Sequence, residues 1–344
     1  MSNKLLDLKE ILGEEKSEIN IITHNFPDPD AIASALGIHH LLKILNYKPG
    51  RIYYSGEISH PQNKSMITLL KIEMANYEDQ PFEDGSKVIL VDTNNLGPES
   101  NQHDIDASNA DVVAVFDHHK GKHPKGSQVD SRKVGATSSI IWEYLQKYEC
   151  DFESEEGRIL ATALILGIFT DTNMLMSDNI SDLDFEAFKS LVPKVDKQKL
   201  LSIMEYPLPH YLFELRQRAF MEENNRIEQS TIVSGIGVIS KLKRDAIPII
   251  ADEFLRMSGI TTSIVFAIVE DCLDISIRSK NITLDVNDFV QKVFGTGGGK
   301  SGAGRAKIPL GFFAAGSNKE LDIALWDLTK EQVFLKVFSN VKAE

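Results

Sequence analysis

The chain has 344 residues, 42% of them apolar and 25% charged, with 37 lysines and arginines against 50 aspartates and glutamates and a net charge of −13. That length exceeds what one hydrophobic core usually supports and predicts two domains. The acidic balance argues against a broad basic face that grips long nucleic acid. Two cysteines far apart, Cys150 and Cys272, do not suggest a disulfide framework, and the charged start and the lack of a membrane-length apolar run lead us to expect a cytoplasmic protein.

Residues 3 to 12 read as a short amphipathic helix, and the β-branched run from Ile19 to Thr23 reads as the first strand. The next stretch places His24, Asp28 and Asp30 on the loop at the carboxyl end of that strand, ahead of a helix running from Asp30 to about Leu45. Two carboxylates this close, held by Pro27 and Pro29, repel each other unless positive charge lies between them, and a divalent metal is the simplest source. Helix capping by Asp28 or Asp30 is the alternative. A strand near Ile52 to Tyr54 and a helix near Lys64 to Lys71 continue the alternation. Two continuous apolar runs follow: Lys87 to Val91, ending in Asp92, and Asp111 to Phe116, ending in Asp117, His118 and His119. Such runs read as parallel strands buried on both faces. Three successive strands thus deliver acids and histidines to the edge where open α/β sheets hold their ligands.

The segment from Lys120 to Lys133 has five basic residues against the single acid Asp130, and reads as a basic loop that is either solvated or meets phosphate. Helices are predicted at Thr137 to Lys147 and Glu155 to Ile168. Beyond them Asp171 ends an apolar segment, a costly place for an unpaired carboxylate and a suitable one for a ligand. Weaker helices at Asp184 to Leu191 and Asp196 to Met204 close a first domain, residues 1–205. A polar helix within 206–229 connects it to a smaller α/β domain, residues 230–344, with strands at Thr231 to Ser240, Thr261 to Val269 and Leu273 to Arg278 and helices at Asp245 to Met257 and Val286 to Phe294. The glycine run from Gly295 to Arg305 includes Gly298 and Gly299, whose backbone amides could approach an anion, with Lys300 and Arg305 adding charge. A flexible linker is the alternative. From Arg278 to Lys307 six basic residues face two acids, a local excess that favours anion binding.

Taken together, these residues resemble the DHH phosphoesterase superfamily, in the branch with a DHH-associated C-terminal domain. The resemblance is carried by His24, Asp28 and Asp30, by Asp92, by the triplet Asp117-His118-His119, and by Gly167 to Thr172, and it spans nearly the whole chain. Within the superfamily the chain is most similar to stand-alone nanoRNases, pAp phosphatases and enzymes that cleave linear or cyclic dinucleotides. The resemblance implies that His24, Asp28 and Asp92 hold one manganese and Asp30, Asp92, His118 and Asp171 the other, with Asp92 bridging. It implies that His119 faces the substrate phosphate and that Asp117 orients the histidines. In the C-terminal domain it implies substrate contacts from Arg278, Ser279, Gly298, Gly299, Lys300 and Arg305, with Lys300 standing where the family has a histidine.

The ligand types agree with that chemistry. Asp28, Asp30, Asp92 and Asp171 balance two divalent ions, and oxygen-rich coordination with some nitrogen suits manganese, or magnesium, better than structural zinc. The activity expected is two-metal hydrolysis of phosphate esters in short nucleotides, with residues of the C-terminal domain holding the remainder of the substrate. The competing readings are an inorganic pyrophosphatase or exopolyphosphatase with the same metal core, and a non-catalytic nucleotide-binding protein. The expected partner is a short nucleotide or small phosphoester, without long nucleic acid or membrane, and a homodimer is left open.

Overall fold

The buried apolar runs become strands of a wholly parallel sheet in the first of two compact units, Met1–Pro207. The computed structural model describes residues 5–14, 17–97, 105, 110–300, 302–314 and 319–341. A short helix α1 (Leu8–Leu12) precedes β1 (Ile19–Ile22), α2 (Pro29–Ile44), β2 (Pro49–Tyr54), α3 (Pro61–Leu70) and β3 (Ala75–Asn76). Then come β4 (Ser86–Val91), β5 (Ala110–Asp117), β6 (Gln128–Ser131) and the helices α4 (Thr137–Lys147), α5 (Glu155–Asp171), α6 (Asp182–Leu191) and α7 (Lys197–Met204). The strand order is β3-β2-β1-β4-β5-β6, with every pair parallel. From β1 the chain winds outward through β2 and β3, and from β4 it winds the other way. β1 and β4 therefore meet at the point where the winding reverses, and the loops at their carboxyl ends part to leave a crevice.

α2 begins where Asp28 Oδ1 accepts the amides of Asp30 and Ala31, both at 3.0 Å, with Pro29 pre-set for the first turn. Ala31 to Ala35 are all buried, so this helix lies inside the unit rather than on its surface. Close packing requires Gly37, where a Cβ would stand 2.4 Å from Ile141 Cγ2 of α4. Ile19, Ile21 and Ile22 of β1 are fully buried as well, each contributing roughly 1.5–3 kcal/mol. The loops that carry the polar residues therefore leave from rigid ends.

The second unit, Leu208–Glu344, is built on a mixed sheet. Its elements are α8 (His210–Phe220), β7 (Asn225–Glu228), β8 (Thr231–Ile239), α9 (Ala246–Phe254), β9 (Thr262–Val269), β10 (Cys272–Ser279), α10 (Val286–Phe294), β11 (Gly298–Lys300), β12 (Ala303–Pro309) and α11 (Lys319–Val341). The order is β11-β12-β10-β9-β8-β7, with β8 and β9 parallel and the other pairs antiparallel. Alternate residues feed two cores: Ile264 and Phe266 pack with α10 and α11, and Val265 and Ala267 with α8 and α9. Among the described residues no helix is long and apolar enough to cross a membrane.

Three local expectations are corrected. The polar helix expected within 206–229 ends at Phe220, and the chain turns into edge strand β7. Asn225 Nδ2 holds that turn by donating to the carbonyls of Ala219 and Met221 at 3.1 and 2.8 Å. A four-residue edge strand with Arg226 and Ile227 exposed has no clear period-two pattern, so it passes for more solvated helix. The basic loop contains β6, and its Arg132 is committed to Asp130 and Glu143 at 2.8 and 2.6 Å. The glycine run is neither an open loop nor a linker: Gly298, Gly299 and Lys300 pair with Arg305, Gly304 and Ala303 in a hairpin.

Candidate functional site

His24 lies just beyond β1, Asp28 and Asp30 open α2, Asp92 directly follows β4, Asp117 ends β5 with His118 and His119 after it, and Asp171 is the last residue of α5. The fold brings these ends together. Potential ligand atoms of His24, Asp28 and Asp92 lie within 4.8 Å of one another, and the same holds for Asp30, His118 and Asp171, and for Asp92, His118 and His119. His24 Nε2 is 3.5 Å from Asp92 Oδ2 and 3.7 Å from Asp28 Oδ1. His118 Nε2 is 3.5 Å from Asp92 Oδ1 and 3.1 Å from Asp171 Oδ2. Asp92 therefore stands between the two ligand groups.

Backbone contacts orient the rings. His24 Nδ1 donates to Asn25 O at 2.8 Å and His118 Nδ1 to Val134 O at 3.2 Å, which directs each Nε2 toward the carboxylates. His119 Nδ1 donates to Asp117 Oδ1 at 2.9 Å, and Asp117 is fully buried, so the second nitrogen of His119 is the one left for other partners. Asp30 accepts the amides of Thr137 and Ser138 at 2.7 and 2.8 Å, while Thr137 Oγ1 donates to Asp92 Oδ1 at 2.8 Å. The amino end of α4 thus supports two of the acids. Sequence reasoning missed Thr137 and Ser138, and the run of small polar residues opening that helix was the available signal. Asp184 secures the approach to α4 by accepting Gly135 N at 2.8 Å and Ser139 Oγ at 2.6 Å.

Two backbone features serve the cluster. A Cβ on Gly167 would stand 2.4 Å from Ser138 Oγ and 3.0 Å from Asp30 Cα, so only glycine lets α5 pass this close to the acid. Asp92 has φ +56°, a left-handed turn at the end of a strand that aims its carboxylate back into the cluster.

The crowded charges perturb one another. Burial alone would lower the His118 pKa, but Asp171, Asp92 and Asp30 outweigh it and raise it to about 10. His24 is likewise raised well above its ordinary value, since Asp28 and Asp92 overcome the cost of burial. Burial works against the charge on Asp92 too, yet the neighbouring imidazoles hold its pKa well below the usual carboxylate range. Asp30 goes the other way, pushed up by burial and then by Asp92 and Asp171. Burial also raises Asp171, against the contact with His118.

These residues fit divalent cations. Among the described residues, Asp92 Oδ2, Asp117 Oδ2 and His118 Nε2 are buried polar atoms that make no hydrogen bond of good geometry, although His24 and Asp171 stand 3.5 and 3.1 Å from the first and the last. Two of them, Asp92 Oδ2 and His118 Nε2, belong to the ligand groups. The donor set of carboxylate oxygens and imidazole nitrogens matches manganese or magnesium.

The second unit contains a cavity of about 490 Å³ whose lining includes Arg244, Arg278, Arg305, Asp274 and Ser276. Asp274 is only 2% exposed. It is paired with Arg244 and, at 3.2 Å, with Arg305 Nη2. Arg278 donates to Asp252 Oδ1 at 2.8 Å and to Ser276 Oγ at 3.0 Å. Gly298 and Gly299 line the cavity, but the Gly299 amide donates to Asn287 Oδ1 at 3.2 Å. The glycines also serve packing, since a Cβ on Gly304 would stand 2.5 Å from Val286 Cγ1 of α10. Ser279 is drawn away from the cavity into a 2.9 Å contact with Thr262 Oγ1. Lys300 is placed by its backbone in β11, and its side chain and Ser301 lie outside the described residues. Arg244 and Asp274 were not foreseen; a lone acid alternating with apolar residues along β10 was the only hint.

A sequence profile of the DHH family, N-terminal domain, matches residues 18–168. An uncharacterized protein from Methanocaldococcus jannaschii is 36% identical over 358 aligned residues, covering 99% of this chain and 70% of that protein. The chain belongs to the DHH family. This DHH chain also matches a manganese-dependent inorganic pyrophosphatase of the same organism, 29% identical over 177 residues, 50% of this chain and 53% of the pyrophosphatase. The match thus spans about half the length of that enzyme. A crystal structure of an exopolyphosphatase-related protein from Bacteroides fragilis shares the fold, with a TM-score of 0.65 at 16% identity over 95% of this chain and 96% of that one.

Proposed function

We propose that this DHH protein is a manganese-dependent phosphoesterase that hydrolyses phosphate esters in short nucleotides: nanoRNA, pAp, or linear and cyclic dinucleotides. The observation that carries the reading is Asp92, buried between two groups of potential ligands with Oδ2 in no hydrogen bond of good geometry. His24, Asp28 and Asp92 would hold one ion, and Asp30, Asp92, His118 and Asp171 the other. When bound, two divalent ions supply the Lewis acidity that activates water and offsets phosphoryl charge. Asp117 fixes the His119 tautomer so that Nε2 meets the substrate phosphoryl group. Thr137 and the α4 amides keep Asp92 and Asp30 in place through binding and turnover. Arg278 and Arg305 line a cavity of the second unit whose charge suits an anion.

The sequence match to manganese-dependent pyrophosphatases favours a second reading, hydrolysis of pyrophosphate by the same cluster. The two are separated by measuring phosphate and nucleotide release from pAp, pApA, a cyclic dinucleotide and pyrophosphate, with manganese and after its removal by chelation. Nucleotide turnover that needs manganese and exceeds pyrophosphate turnover is expected. Pyrophosphate as the preferred substrate would establish the second reading, and binding of nucleotide without turnover would mark a non-catalytic protein.

A further inference from the structure

Helix α11 closes one core of the second unit with a single stripe of its surface. Val333, Phe334, Val337 and Phe338 are buried with Ile264 and Phe266 of β9, and the Trp326 ring lies 5.6 Å from that of Phe266. A surface helix ordinarily turns polar residues outward from such a stripe. α11 does not: on its opposite face Leu321, Leu328 and Leu335 are 62, 63 and 56% exposed. Single exposed leucines need no explanation, but a row of them along one face marks an interaction surface.

The row has the period of a coiled coil. Leu321, Leu325, Leu328, Gln332, Leu335 and Ser339 follow one another by four and three residues in turn, the 3.5-residue repeat that keeps one seam of a helix turned toward a partner helix. Leu325 sits at the margin of the unit's own core, while Gln332 and Ser339 are exposed. The seam runs about 21 Å from Leu321 to Leu335 at 1.5 Å per residue. Gln332 interrupts it, and one polar residue in an apolar seam restricts the registers in which two helices can pair.

We propose that this stripe pairs with the same stripe of a second copy of the chain, the two α11 helices running antiparallel about a two-fold axis. Charge selects that occupant. Asp322 and Lys336 lie on the same flank of the seam, each one residue beyond a leucine of the row and one toward either end. Flanking positions of this kind set partner and direction in helix pairs. An antiparallel copy brings Asp322 beside the partner's Lys336, and the two-fold axis repeats the pair. Leu325 then packs on the partner's Leu335, and Leu328 on the partner's Gln332. A parallel copy leaves the two charges about 21 Å apart along the seam. So short a seam buries an area at the lower end for specific complexes, so the dimer is expected to be weak and to depend on concentration.

The test is sedimentation equilibrium of the full chain at low salt, from about 1 to 200 μM. The wild type should pass from monomer to dimer across that range. Leu328→Asp, which sets a charge in the seam, should raise Kd at least about 50-fold. Asp322→Lys and Lys336→Asp should each weaken the dimer about tenfold, since each reverses two symmetry-related pairs. The double variant Asp322→Lys/Lys336→Asp should return to within about threefold of the wild type, and an equimolar mixture of the two single variants should form a heterodimer of similar strength. Urea unfolding of dilute protein checks that each variant keeps its fold, and the charge swap decides alone if Leu328→Asp does not. A wild type that stays monomeric throughout, a dimer untouched by Leu328→Asp, or a charge swap that fails to restore association would overturn the pairing.

Discussion

At the carboxyl edge of the parallel sheet, Asp28, Asp30, Asp92 and Asp171 crowd around His24 and His118, while in the mixed sheet two guanidiniums, of Arg244 and Arg305, hold the buried carboxylate of Asp274. The first region has more negative charge than its own groups neutralise, and buried atoms there lack hydrogen bonds of good geometry. The second carries its own counter-charge, with Arg244 and Arg305 both on Asp274. A site that depends on added cations leaves donors unsatisfied until they arrive. A site for anions can be closed internally and still present a net positive wall.

The largest expected effect is at the acid shared by both ligand groups. Asp92→Asn should lower manganese-dependent turnover by about 10³-fold or more and abolish high-affinity binding of at least one ion, read by equilibrium dialysis. Wild-type turnover in this variant would sink the two-ion assignment.

Proton linkage gives a second way to probe the contrast. His24 and His118 are raised by neighbouring acids, so in the metal-free protein they hold protons near neutral pH that a cation must displace. Manganese affinity should therefore increase as pH rises from about 6 to 9, with proton release seen by calorimetry in buffers of different protonation enthalpy. Because the folded pKa of His118 lies above its ordinary 6.5, its contribution to metal-free stability is complete below 6.5 and is lost as pH rises through about 10. Thermal unfolding in chelator should show that decline, and a pH-independent manganese affinity would contradict the assignment.

The smallest effect is expected in the mixed sheet. Asp274→Asn leaves Arg244 and Arg305 without their shared counter-charge and should cost about 1–2 kcal/mol in urea unfolding, less than for a fully buried pair because both arginines reach solvent. Bound manganese should be unchanged. An equal loss of metal binding would show that the two charge systems are not separable.

The two regions also differ in how much of them could be read from the residues alone. Asp92 and the triplet at 117–119 stand out because each directly follows a run of buried apolar residues, so a charged side chain there is visible without knowing its neighbours. Thr137 and Ser138 escaped notice because their role depends on which helix end meets Asp30. In the mixed sheet Arg305 reaches Asp274 through the β10–β12 register, across a separation of 31 residues. The glycines at 298–304 suggested amides open to an anion, yet the hairpin they form uses them to lie against α10.

What the chain determined locally was the alternation of strand and helix and the kinds of ligand at each strand end, since both depend on burial period and on residues adjacent in sequence. Which of those groups share a space, that Asp92 stands between two sets, and which stripe of α11 faces outward were settled only by the tertiary fold. Strand order and close backbone approach bring together atoms that no local pattern connects.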